Sequence, residues 1–190
     1  KGSLGSGKTS LIILLMGLYE PTIGHITVDG HDMGETPIKS LRRRIAVVSD
    51  DLLPLGKTVF EAISYSRKQE KKKGAKQMLN QVQKAAARPN RLHLDDSIGA
   101  LGSNLSRGQQ KILNYTRALL TGKPVLIFEE PFAGLDDENC KYLGTLINEI
   151  KAEKTIIILN QNDFSAYLKP DVTHDLDNIQ NTPVMKVVKV

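Results

Sequence analysis

The chain has 190 residues, enough for one domain with a sizeable core, or a core plus a small subdomain. With 40% hydrophobic and 25% charged residues it has the composition of a folded globular protein, which excludes a disordered or fibrous chain. The longest apolar run, 11–18, is too short to cross a bilayer, and the single cysteine, Cys140, excludes an internal disulfide.

The net charge is +5, and much of it gathers in Arg42-Arg43-Arg44 and in the basic residues of 67–76. No aromatic residue interleaves with these runs to stack on bases, so we read them as solvated helix faces and expect no nucleic-acid partner.

Gly2-Ser3-Leu4-Gly5-Ser6-Gly7-Lys8-Thr9 satisfies the phosphate-loop pattern G-x-x-x-x-G-K-[ST] at every position. Gly2, Gly5 and Gly7 let the backbone turn tightly and approach a phosphate. Successive N–H groups can then converge on one anion. Lys8 supplies a full positive charge for the β- and γ-phosphates, and the Thr9 hydroxyl is a hard oxygen ligand for Mg²⁺. Thr9, Ser10 and the apolar residues to 18 read as a helix whose positive N-terminal end lies under the phosphates. The strand such a loop needs before it is not in the chain, which starts at Lys1 without a Met. We therefore expect a piece of a longer protein.

Strand signals follow at 26–28, ended by the Asp29-Gly30 turn, and at 45–49, 125–128 and 155–159. The last three are near-continuous apolar runs suited to a parallel sheet. Helical patterns cover 106–120 and 137–151, the second capped by Asp136 or Asp137 and carrying Cys140 on its apolar stripe, where it reads as a small buried hydrophobe. Residues 51–104 carry no strong strand run. Helices are expected at 59–66 and 68–87, with Arg88-Pro89-Asn90 as the stop. The fold class is α/β, with a helical insertion.

The strand at 125–128 ends in Glu129-Glu130. In phosphate-loop ATPases the first such acid serves the Mg²⁺ shell and the second orients and deprotonates a water. Ala133-Gly134-Leu135-Asp136 follows, and Leu105-Ser106-Arg107-Gly108-Gln109 stands before it at a helix start, which alone also reads as a plain N-capped helix.

In this order and spacing the chain resembles the nucleotide-binding domain of ATP-binding cassette (ABC) transporters over nearly its whole length. Leu105 to Gln109 look like the L-S-G-G-Q signature with one change, and the flanks at Asp96-Ser97-Ile98-Gly99 and at 56–63 look most like the exporter branch. The resemblance implies a RecA-like phosphate-loop core with a mostly parallel sheet, at 1–50 and 105–190, interrupted by a helical subdomain at 51–104. It implies an ATPase with ATP and Mg²⁺ as cofactors, working at the cytoplasmic face of a membrane. Its partners would be the transmembrane domains of the transporter and a second nucleotide-binding domain, identical or not. Two such domains sandwich ATP, so Ser106 and Gly108 would act on the partner's nucleotide, with Asp136 in the loop after the acidic strand.

Four positions depart from the family pattern. Asp50 stands where glutamine is usual, Glu129 where aspartate is, Gln161 where histidine is, and Arg107 where glycine is. Glu129 keeps its charge on a longer arm. Asp50 puts a negative charge near polyphosphate, tolerable through direct Mg²⁺ coordination, so Thr9, Asp50 and Glu129 are the candidate metal ligands. Gln161 can still donate a hydrogen bond but not the positive charge of an imidazolium. Losing one transition-state donor costs about 3–4 kcal/mol. Glu130, Lys8 and Gln161 are thus the catalytic candidates, and slow hydrolysis is expected. An alternative role is a hydrolytically slow, nucleotide-gated module paired with a more active partner.

Overall fold

The computed structural model describes residues 1–84 and 91–178. The glycine-rich loop leads into α1 (Lys8–Leu15), which ends before Gly17 turns the chain with φ of 60°. A small hairpin follows, β1 (Thr27–Val28) paired antiparallel with β2 (His31–Asp32). Its turn residues Asp29 and Gly30 have φ of 53° and 78°, the mirror-image turn whose twist suits a two-residue hairpin. The second strand, two polar residues long, carries no β signal of its own.

A further helix, α2 (Ile38–Arg44), carries the helix face read for Arg42-Arg43-Arg44, but its bounds were not legible in the sequence. The basic run Arg42-Arg43-Arg44 forms its last turn, where cations favour the negative end of the helix dipole. Lys123 completes that end by donating to the carbonyls of Arg42 (2.7 Å) and Ile45 (2.8 Å).

Next come β3 (Ile45–Val48), α3 (Val59–Ser64) and α4 (Lys72–Lys84), the last preceded by a short 3₁₀ turn at Gln69–Lys71. The expected end of α4 at Ala87 and its stop at Arg88-Pro89-Asn90 lie outside the described residues. The chain finishes its regular structure with α5 (Arg107–Leu120), β4 (Val125–Glu129), α6 (Asp137–Ile150) and β5 (Thr155–Leu159).

Strands β3, β4 and β5 form a parallel sheet in that order, with β4 central and Val48 facing Phe128 and Glu129 facing Leu159 in register. Alternate residues of the strands feed opposite layers. Ile45, Val125, Ile127 and Leu159 pack with Ile12, Leu15 and Leu41 of α1 and α2. Ala46, Val48, Leu126 and Phe128 pack with Tyr115, Ala118, Leu143 and Ile147 of α5 and α6. Cys140 is buried in this second layer, and burial pushes its thiol pKa up.

A third apolar cluster joins α3 (Val59, Phe60, Ile63), α4 (Ala75, Leu79), Leu92, Leu94 and Ile98 to Leu113 of α5. The 51–104 segment therefore has its own core, but α5 from outside it supplies one wall. Gln83 ties the segment together, exchanging both amide hydrogen bonds with the backbone of Leu92.

Beyond β5, Phe164 stacks on Phe132 at 4.5 Å between ring centres, and the turn carrying Tyr167 lies directly on α6. A Cβ at Gly144 would sit 2.4 Å from the Tyr167 carbonyl oxygen. Gly144→Ala gains about 1 kcal/mol of helix propensity but loses about 1–3 kcal/mol to overpacking against backbone. The expected net is a lower urea midpoint at unchanged slope; a raised midpoint would show that the close approach does not exist.

Candidate functional site

The glycine-rich loop sits at the carboxyl ends of the parallel strands, where side chains from neighbouring strand ends converge. Gly2 N–H donates to the Asn160 carbonyl just past β5 (3.1 Å), and Ser6 N–H to the Ser3 carbonyl closes the turn (3.2 Å). Gly5 and Gly7 have φ of 85° and 92°, open to glycine without strain, and a Cβ on either would meet nothing within 4 Å. The loop face is therefore free. Leu4 points to solvent, Thr9 and Ser10 are exposed on the first turn of α1, and the Ser6 hydroxyl is buried with no protein partner. An orphaned hydroxyl inside this glycine-rich loop fits a bound phosphate oxygen.

Lys8 is buried, and its ammonium is held by the loop itself, donating to the carbonyls of Gly2 (2.7 Å) and Ser3 (2.8 Å). It lies 3.7 Å from Glu130 Oε1. Thr9 Oγ1 donates to Glu129 Oε1 at 2.8 Å, so two of the three candidate Mg²⁺ ligands are in direct contact. Glu130 begins the turn after β4 with φ of 43°, a left-handed conformation uncommon outside glycine. Its N–H donates to the Leu159 carbonyl (2.8 Å), and its Oε2 accepts from the Gln161 backbone N–H (3.1 Å). Lys8, Glu130 and Gln161 are thereby gathered at one point.

Asp50 has a different partner. Both its oxygens accept from Lys111 Nζ, at 2.9 and 2.8 Å. Among the signature residues, Ser106 caps α5 by accepting from Gln109 N–H (3.3 Å), and the Gln109 side chain returns the bond to Ser106 N–H (2.9 Å). Leu105 is half-buried against the helical cluster. Arg107 is exposed and Gly108 half-buried at the first turn. Asp136 caps α6 by accepting from Asn139 N–H (2.9 Å).

Sequence reasoning missed Lys111, Asn160 and Asp177. Lys111 precedes the buried Tyr115 and Leu119 by four and eight residues, a spacing that puts it on the inward stripe of α5. Nothing marked Asp177. It reaches back across the sequence to accept from Ser3 N–H and Ser3 Oγ, each at 2.8 Å.

A parallel sheet with helices on both faces and a phosphate loop at its strand ends defines a RecA-like phosphate-loop fold, a class built to hold nucleoside triphosphates. The model of the family "ABC transporter" matches residues 1–133, and the chain belongs to that family. It is 33% identical over 196 aligned positions to an "ATP-dependent lipid A-core flippase" of Methylococcus capsulatus, covering 99% of this chain and 30% of that protein. Against proteins described in the same words, it is 33% identical to that of Neisseria meningitidis serogroup A and 32% to that of Salmonella typhimurium, each over 83% of this chain. A solved bacterial Atm1-family ABC exporter with ATP bound superposes with a TM-score of 0.68 at 26% identity, over 83% of this chain and 28% of that one. The chain thus spans 30% or less of the length of these relatives.

Among the described residues no group of three or more His, Cys, Asp or Glu gathers as a metal cage. The donor set that is present, a threonine hydroxyl touching one carboxylate beside an open phosphate loop, suits Mg²⁺, which keeps waters and phosphate oxygens in its shell.

The Ser3 hydroxyl and then the Ser3 amide hold the Asp177 carboxyl below its ordinary range. A depressed folded pKa means that the contact contributes fully above about pH 3.9 and is lost as pH falls through the lower folded value. A carbon-detected NMR titration of Asp177 should show its midpoint below the ordinary aspartate value. Ser3→Ala should move it partway back by removing one of the two donors, and an unshifted midpoint in the unaltered chain would refute the contact.

Proposed function

We propose that this chain is the ATP-binding engine of an exporter-like ABC transporter. It would bind Mg²⁺-ATP at the phosphate loop and drive transmembrane domains through ATP-dependent pairing with a second nucleotide-binding domain, identical or different. The relatives' printed names, flippase and exporter, support the direction of transport. Among the described residues no helix is long and apolar enough to cross a membrane, so the transmembrane domains are assigned to other segments or chains, with this unit at the cytoplasmic face.

The observation that carries this reading is the meeting of Lys8, Thr9, Glu129, Glu130 and Gln161 at the open face of the loop. Each has a role there. The loop amides and the Ser6 hydroxyl receive phosphate oxygens. Lys8 leaves the neutral loop carbonyls for phosphate oxygens, whose negative charge makes them the stronger acceptors. Thr9 and Glu129 hold Mg²⁺, which when bound neutralises charge on the phosphates. Glu130 is fixed by the Gln161 N–H through one oxygen and accepts a proton from a water at the other. Ser106 and Gly108, at the N-terminus of α5, are offered to the partner's nucleotide.

A second reading is a slow, nucleotide-gated module beside a more active partner. It is favoured by the double engagement of Glu130, whose two oxygens face Lys8 and Gln161 N–H, and by the amide at position 161.

Equilibrium titration of the chain with ATP and Mg²⁺ tests the main reading. Saturable binding is expected, weakened at least about tenfold by Lys8→Ala, which removes a charged donor. No binding by the unaltered chain would end it. Gln161→His is expected to raise turnover on the order of 10²-fold by restoring a cationic donor at the phosphates. Unchanged turnover in that variant would end the slow-module reading.

A further inference from the structure

Helix α5 grips the ends of two neighbouring strands with one face. Lys111, Asn114 and Tyr115 lie at positions i, i+3 and i+4, and all three are buried. Asn114 Nδ2 donates to the Ser49 carbonyl after β3 (3.3 Å). Lys111 Nζ donates to both Asp50 oxygens and to the Pro131 carbonyl (3.3 Å), and Tyr115 OH donates to that same carbonyl (3.1 Å). Pro131 directly follows Glu130 and is fully buried.

A buried ammonium is stable only with a counter-charge and satisfied donors. Asp50 supplies the charge, and the three acceptors use the donor capacity of Lys111. Asp50 in turn commits both oxygens to Lys111, leaving no uncompensated anion to repel a polyphosphate. On the other side, the left-handed backbone at Glu130 is strained and persists only where its surroundings over-determine it. The two donors fixed on the Pro131 carbonyl provide that constraint.

We propose that Lys111 is a positioning residue that fixes the Glu130–Pro131 turn, and that Asp50 is its counter-ion rather than a ligand of Mg²⁺. The inference rests on the nucleotide-site reading above only where it concerns Mg²⁺.

The test uses the full chain, Lys111→Met, Asp50→Asn and the double variant. Without nucleotide, urea unfolding should show that Asp50→Asn lowers the folding equilibrium constant about 10- to 100-fold, because it strands the ammonium; the half-exposed setting of Asp50 keeps the loss at the lower end of that for a buried pair. The double variant should recover at least tenfold relative to the sum of the two singles. If a single variant does not fold and the double does, the coupling is equally shown; additive losses overturn it.

Amide exchange in Lys111→Met should speed up at Glu130 at least tenfold more than at Ile127 in mid-strand. A uniform increase along β4 would mean general destabilisation and would overturn the positioning role. The Mg²⁺ concentration that half-saturates ATP binding should agree within about twofold between the double variant and the unaltered chain. A tenfold rise wherever Asp50 is replaced would make it a ligand after all. Failure of ATP to bind the unaltered chain would defeat the functional reading alone, since the unfolding and exchange measurements decide the pair without nucleotide.

Discussion

The parallel pairing of β4 between β3 and β5 is the constraint on which the site depends. Strand β4 is held on both sides, and the apolar layers above and below do not allow its register to slip. A one-residue slip of β4 would exchange Leu126 and Phe128 with Val125 and Ile127 and expose neither layer to the right partner. With the register fixed, the chain leaves all three strands at the same edge. Ser49 and Asp50, Glu129 and Glu130, and Asn160 and Gln161 arrive there together, and the phosphate loop is tied to that edge through Gly2 and Asn160.

Charge is handled locally at this edge. Lys8 would be a buried, unpaired cation if it pointed into the open loop without a ligand, and it turns instead onto two loop carbonyls with Glu130 nearby. Lys111 is buried deeper and has a carboxylate to itself. Burial, with the Asp50 charge adding to it, keeps the Tyr115 phenol protonated well above its ordinary range, so its hydroxyl stays a donor to the Pro131 carbonyl. Lys8 and Lys111 each have an acid nearby, and the buried Ser6 hydroxyl and the Asn160 side-chain oxygen are left without a protein partner at this edge.

Much of this was legible in the sequence because it follows local rules. The three sheet strands announce themselves as apolar runs, and α5 and α6 by capped, amphipathic patterns with Ser106 and Asp136 where a cap is wanted. The phosphate loop, the acid pair and their order along the chain carried the family. What was illegible depends on long-range meeting. Helix α2 has one buried residue, Leu41, and so shows almost no periodic stripe. The Ser3–Asp177 contact spans nearly the whole chain with no pattern at either end. Asp50 was read by its sequence neighbours and by resemblance, which bring to mind a metal; its partner Lys111 is 61 residues away and appears only when α5 is packed on the sheet.

Helix α5 gives these parts a common frame. Its Leu113 belongs to the helical cluster, while Tyr115, Ala118 and Leu119 belong to the sheet. Its buried polar face holds the turns after β3 and β4, and its N-terminus carries Ser106 and Gly108. A rigid helix of 14 residues cannot shift one of these attachments without straining the others. Helix α5 is thus packed on the α3–α4 cluster and on the sheet at once. Shifting α5 off the sheet edge would leave the buried Lys111 ammonium without its counter-charge, and shifting it off the helical cluster would expose Leu113. The head of α5, with Ser106 and Gly108, and the turn that carries Glu130 are therefore set by a single attachment, the grip of Lys111 and Tyr115 on the Pro131 carbonyl.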